Sequence, residues 1–108
     1  MHDHIKGGAL TEVTFFILLA LHRPRHGYAV MQFVEERTGG RLILGAGSLY
    51  GALRTLEQRG WIAPAGGGDG RKKEFLITPL GRAAVDTELK RLVRLVEIAR
   101  EITREDFL

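Results

Sequence analysis

From Pro79 to about Thr103 the sequence carries one long helical stripe. Val85, Leu89, Leu92, Val96 and Ala99 are spaced four, three, four and three, and Leu95 and Ile102 widen the line. This is the spacing of a helix that packs along its length on another helix. Lys90, Arg94, Glu97, Glu101 and Arg104 fall on the opposite face. An apolar arc this wide exceeds what a terminal helix needs to dock on a small core, so the pattern predicts pairing with a second chain. The alternative is docking within the protomer. A chain of 108 residues buries only a modest core, and a second copy would add buried surface.

The residues before this helix read as three shorter helices and a hairpin. The first helix is predicted from about Thr11 to His22, with Thr11 as cap and Glu12 in the first turn. Phe15, Leu18, Leu19 and Leu21 make it apolar around much of its surface, so it must be covered on more than one side. Arg23-Pro24-Arg25 ends it. The second helix is predicted from about Gly27 to Thr38, with Tyr28, Val30, Met31, Phe33 and Val34 apolar and Gly39-Gly40 as its stop. Arg41 to Leu44 reads as a short strand. The third helix is predicted from about Ser48 to Arg59, capped by Ser48 or Gly47. Leu49, Ala52, Leu53 and Leu56 form its buried face. Two β-capable runs, from Trp61 and from Arg71 to Ile77, flank a glycine-rich turn and read as a hairpin. Thr78 and Pro79 supply the cap and first position of the long helix.

The order helix, helix, short strand, helix, hairpin, long helix is that of a winged helix. The predicted fold class is mainly α (α+β), a winged helix-turn-helix with a long C-terminal dimerisation helix. Residues 1–10 are expected to be a flexible N-terminus, 11–78 the winged-helix DNA-binding domain and 79–108 the dimerisation helix. The third helix presents Gly51, Arg54, Thr55 and Gln58 away from its apolar face. Arg, Thr and Gln can hydrogen-bond base edges or phosphates, and Gly51 removes bulk where backbone would approach a groove. Arg71, Lys72 and Lys73 follow on the hairpin and could reach phosphates. On these grounds double-stranded DNA is the expected partner, bound by a homodimer whose two third helices lie roughly 34 Å apart, or a multiple of that. Phe15 and Leu18 on the first helix, with Val85, Leu89, Leu92, Val96, Ala99 and Ile102 on the last, are the expected dimer interface.

Sixteen Lys and Arg against thirteen Asp and Glu give a net charge of +3, a weak pointer in the same direction. Cysteine is absent, which excludes disulfides and cysteine zinc sites. The longest apolar run, Phe15 to Leu21, is too short for a bilayer, and residues 1–8 lack a signal-peptide core, so the expectation is a cytoplasmic protein without membrane contact. Gly45-Ala46-Gly47-Ser48-Leu49-Tyr50-Gly51 brushes the dinucleotide fingerprint, but its third glycine is one position late and no parallel βαβ unit surrounds it. His2 and His4 read as an ordinary chain end, and His26 as a cap or surface residue. Trp61 reads as a strand residue packed on the core. No nucleophile–base pair stands out, so neither an enzyme nor a cofactor is expected.

The sequence resembles the PadR family of transcriptional regulators over nearly its whole length. The resemblance rests on Leu10-Thr11-Glu12, on His26-Gly27-Tyr28, and on Gly47-Ser48-Leu49-Tyr50-Gly51-Ala52-Leu53 followed by Leu56-Glu57 and Gly60. Arg71-Lys72-Lys73-Glu74-Phe75 and Ile77-Thr78-Pro79-Leu80-Gly81 complete it. It implies a winged-helix dimer that represses a nearby promoter, with dimer contacts through the C-terminal helix, as in the family's shorter branch. It also implies that Tyr28, Ser48 and Tyr50 contact DNA, that the wing cations hold phosphates, and that a small-molecule effector binds at the dimer interface. Gly51 stands where the family usually has proline, and the last helix has no aromatic residue before Phe107, where members that stack flat ligands carry one. Two other classes stay open: a winged-helix protein–protein interaction module without DNA binding, and a small-molecule carrier built on the dimer interface.

Overall fold

The computed structural model describes residues 5–6, 8–66 and 68–105. Helix α1 spans Glu12–Ala20. It begins where Thr11 Oγ1 accepts the Thr14 N–H at 3.2 Å, with Glu12 at the positive end of the helix dipole. It ends earlier than predicted, because the Leu21 N–H already reaches the Ile17 and Leu18 carbonyls and the Arg25 guanidinium occupies the Ala20 carbonyl. Thr14, Ile17, Leu18 and Ala20 are buried, while Phe15, Phe16 and Leu19 are half-buried. The all-round apolar character of α1 is thus used inside the protomer. Leu18, expected at the dimer surface, is 0% exposed and belongs to the protomer's own core.

Strand β3 (Arg25–His26) leads straight into α2 (Gly27–Arg37), where His26 Nδ1 accepts the Ala29 N–H at 3.3 Å as the cap. Gly39 and Gly40 both adopt positive φ and stop the chain from continuing as helix. Residues 41–44 are not a strand. The Thr38 hydroxyl accepts the Leu42 N–H and donates to the Val34 carbonyl, tying this segment to the end of α2 while Leu44 enters the core. The strand position belongs instead to β3.

Helix α3 (Ala46–Gln58) starts two residues before the predicted Ser48. Gly45 is the N-cap, with no side-chain cap bond, so neither Ser48 nor Gly47 plays that part. Leu49, Ala52, Leu53 and Leu56 are buried as their spacing requires. The wing strands are β4 (Ile62–Pro64) and β5 (Glu74–Ile77), and the antiparallel sheet runs β3-β5-β4 with Ile62 opposite Ile77 and Arg25 opposite Phe75. Arg71 to Lys73 do not open the second strand. Gly70–Lys72 form a 3-10 turn in which Lys72 and Lys73 donate their N–H groups to Asp69 and Gly70, donors a strand would have offered to its neighbour.

Helix α4 (Pro79–Glu105) is capped by Thr78, whose Oγ1 accepts the Gly81 N–H at 3.1 Å. Gly81 lies so close to the Trp61 carbonyl that any Cβ there would overlap it. Gly81, Val85 and Glu88 form the inward line of α4, so Val85 also belongs to the protomer's core rather than to an outer surface. From Val93 to Arg104 every residue is exposed, and the helix projects from a body of 28 × 26 Å to an overall length of 59 Å. Residues 1–10 contain more order than expected: β1 (Ile5–Lys6) and β2 (Ala9–Leu10) form an antiparallel hairpin, and the Leu10 N–H donates to Glu88 Oε1 at 3.3 Å. His2, His4 and Phe107 lie outside the described residues.

Candidate nucleic-acid interface

The starts of α2 and α3 and the wing turn converge on an open cleft of about 520 Å³. Its lining is His26, Tyr28, Met31, Ala46, Gly47, Tyr50 and Lys72. One glycine makes the convergence possible. A Cβ at Gly27 would stand 2.6 Å from the Tyr50 hydroxyl oxygen, so only a residue without a side chain lets the Tyr50 ring lie over the start of α2. Tyr28 is the neighbouring wall and is 53% exposed. Two phenol groups and one ammonium group thus face one concave, solvent-open surface, which suits an anionic, partly apolar ligand such as a sugar–phosphate strand.

The rest of the expected DNA-binding set is placed in two ways. Ser48, Arg54 and Gln58 are exposed, and Gly51 has open space beside it, so the outward face of α3 is unobstructed. Thr55 is on the same face, but its hydroxyl donates to the Gly51 carbonyl at 3.2 Å and is turned along its own helix. Lys72 reaches the cleft. Lys73 does not: its ammonium pairs with Glu57 on α3 at 3.9 Å and lies over the Phe75 ring. The Arg71 side chain lies outside what the structure describes.

Sequence reasoning missed Met31 as a wall of the cleft, Glu57 as the partner of Lys73, and Glu88. Glu88 is the informative one, because it stands on the inward line of α4 among apolar residues, with Arg91 three positions on. The carboxylate is 3% exposed and is held by Arg91 Nε at 2.8 Å and by the Leu10 N–H. The hydrogen-bonded Arg91 guanidinium keeps this carboxyl below the usual carboxylate range, against burial, which pushes it up. Glu12 and Arg41 form a second bidentate pair, at 2.7 and 3.1 Å, joining the start of α1 to the segment before α3. Arg41 likewise lowers the Glu12 carboxyl, but the pair is exposed and contributes little alone.

Residues 17–87 match the family described as transcriptional regulator PadR-like. The chain belongs to the PadR family. Among curated proteins, an uncharacterized 37.1 kDa protein in transposon TN4556 of Streptomyces fradiae is 42% identical over 72 residues. That match covers 67% of this chain and 20% of the relative, so the chain spans about a fifth of the relative's length. Among solved structures, RosR of H. salinarum superposes with a TM-score of 0.68 at 27% identity, over 90% of this chain and 93% of that one. A PadR family transcription regulator from Clostridium difficile shares the fold, with a TM-score of 0.68 at 18% identity over 84% and 97% of the two chains. The PadR family is one of transcriptional regulators, not of enzymes. Among the described residues no helix is long and apolar enough to cross a membrane.

Proposed function

We propose that the protein is a DNA-binding transcriptional repressor of the cytoplasm. It acts as a homodimer and reads an inverted-repeat operator through α3 and the wing. The observation that carries the reading is the cleft between Tyr28, Tyr50 and Lys72, set beside an α3 face that offers Arg54 and Gln58 to solvent. In the proposed complex α3 enters the major groove, where Arg54 and Gln58 meet base edges, and the cleft receives the adjoining backbone. The unit at 11–78 holds DNA, and the projecting part of α4 pairs the copies. The exposed apolar residues Leu89, Val96 and Ile102 on that projection support pairing.

Selection from random duplex DNA tests this. The expected product is an inverted repeat with half-sites about one turn, roughly 34 Å, apart or a multiple of it. No enrichment even at low salt would overturn DNA recognition. A promoter–reporter fusion carrying the selected site should lose expression when the protein is supplied, and a gain would overturn repression. Lys72→Ala should weaken binding to all duplexes alike and lower the slope of log affinity against log salt by about 0.9, the loss of one phosphate contact. An unchanged slope would remove Lys72 from the interface.

A further inference from the structure

The projecting part of α4 carries more apolar surface than one neighbouring helix can cover. At about 100° per residue, its apolar side chains spread over about 220° of the helix. They separate into two faces. The first continues the inward line of Gly81, Val85 and Glu88 through Leu92, Val96 and Ala99. The second lies roughly 85° round the helix. It starts at Leu80, Ala84 and Thr87, crosses Arg91, and goes on through Leu95, Ile98 and Ile102. Its steps are four, three, four, four, three and four. Leu80, Leu95, Ile98 and Ile102 are 36–57% exposed, so the protomer itself leaves this face open.

The second face is graded along its length. Its base is small-sided, and there Gly8, Trp61, Ala83 and Ala84 border a groove of about 290 Å³. Its tip carries the bulky residues. A two-fold antiparallel pairing centred on Arg91 sets Ala84 against the partner's Ile98, Thr87 against the partner's Leu95 and Leu80 against the partner's Ile102. Small thus meets large in an isologous contact about 33 Å long. The two Arg91 side chains that meet at the centre are not bare cations, because each is held by Glu88 of its own helix at 2.8 and 2.5 Å. The same two-fold leaves both bodies on one side of the helix pair, so Leu92, Val96 and Ala99 of each tip are turned towards the partner's body. One operation then covers both faces.

We infer that, given the homodimer proposed above, α4 pairs antiparallel with a second copy along the Leu80–Ile102 face, the tip of each helix seated in the groove at the base of the other. The chain has no cysteine of its own, so introduced thiols report the register directly. Ala84→Cys with Ile98→Cys in one chain should give a covalent dimer on oxidation, whereas Ile98→Cys alone should not. Leu80→Cys with Ile102→Cys is the second pair, used if the first alters the fold by circular dichroism. A covalent dimer from Ile98→Cys alone would mean parallel helices and overturn the proposal. So would a dimer in sedimentation with no cross-link from either pair. A parent protein that sediments as a monomer would instead overturn the homodimer itself, and the pairing with it.

Discussion

Two glycines and one carboxylate hold positions that no other residue type fills. Gly81 brings α4 against the Trp61 carbonyl, and Gly81→Ala places a Cβ inside that contact. Backbone cannot yield as a side-chain end can, so the substitution should cost about 1–3 kcal/mol, read as a lower urea midpoint with an unchanged slope. At Gly27 the obstructing atoms are the Tyr50 ring and hydroxyl. Gly27→Ala should therefore displace a side chain from the cleft, weakening DNA binding more than stability. Equal loss of both would show that Tyr50 serves packing alone. Glu88 sets a pH dependence. Its folded carboxyl titrates below its unfolded value because of Arg91, so the folded chain binds fewer protons in between. Its stabilisation is complete above the ordinary carboxylate range and is lost as pH falls through the lowered folded value. Thermal melts from about pH 7 to pH 3 should show the parent losing more of its melting temperature than Glu88→Gln. Parallel curves would mean the pair carries no net stabilisation.

The elements differ in what fixed them. Helix α3 follows from Leu49, Ala52, Leu53 and Leu56, whose spacing leaves one burial solution; Leu53→Ala or Leu56→Ala should each cost about 2–5 kcal/mol in denaturant unfolding. The wing is different. Three consecutive cations suggest three equal phosphate contacts, yet the structure gives Lys72 to the cleft and Lys73 to Glu57. Lys73→Ala should accordingly flatten the salt dependence of DNA binding less than Lys72→Ala, and the reverse order would show that DNA releases Lys73 from Glu57. The pairing of β3 with β5 has no local signal, because a two-residue strand is defined only by its distant partner.

At the scale of the whole molecule, a helix projecting from a small body is stable only if something covers its apolar side. Leu92 lies where α4 leaves the body and is half-buried there. Leu92→Asp should split the dimer in sedimentation and abolish tight operator binding, because two half-sites would no longer be held by one particle. A dimer that persists would take Leu92 out of the contact. The expected interface changes with the structure in hand. Leu18 and Val85 are spent on the protomer's own core, while Phe15, Leu89, Leu92, Val96, Ala99 and Ile102 keep exposed or half-exposed surface.

The sequence by itself determined the helices, the hairpin and their order. Their signals are local: apolar residues at helical spacing, threonine caps before α1 and α4, and glycines where the chain must turn. It also determined which face of α3 is free, since burial of four residues at fixed spacing leaves the others outside. The tertiary structure decided what depends on residues far apart in the chain. It turned α1 into a central helix, replaced the expected strand at 41–44 with Arg25–His26, and set Tyr28, Tyr50 and Lys72 around one cleft. It also buried Glu88 against the N-terminal hairpin. Periodicity says which side of a helix is apolar. Only the packed neighbours decide which part of that side is used up within the protomer and which is left for a partner.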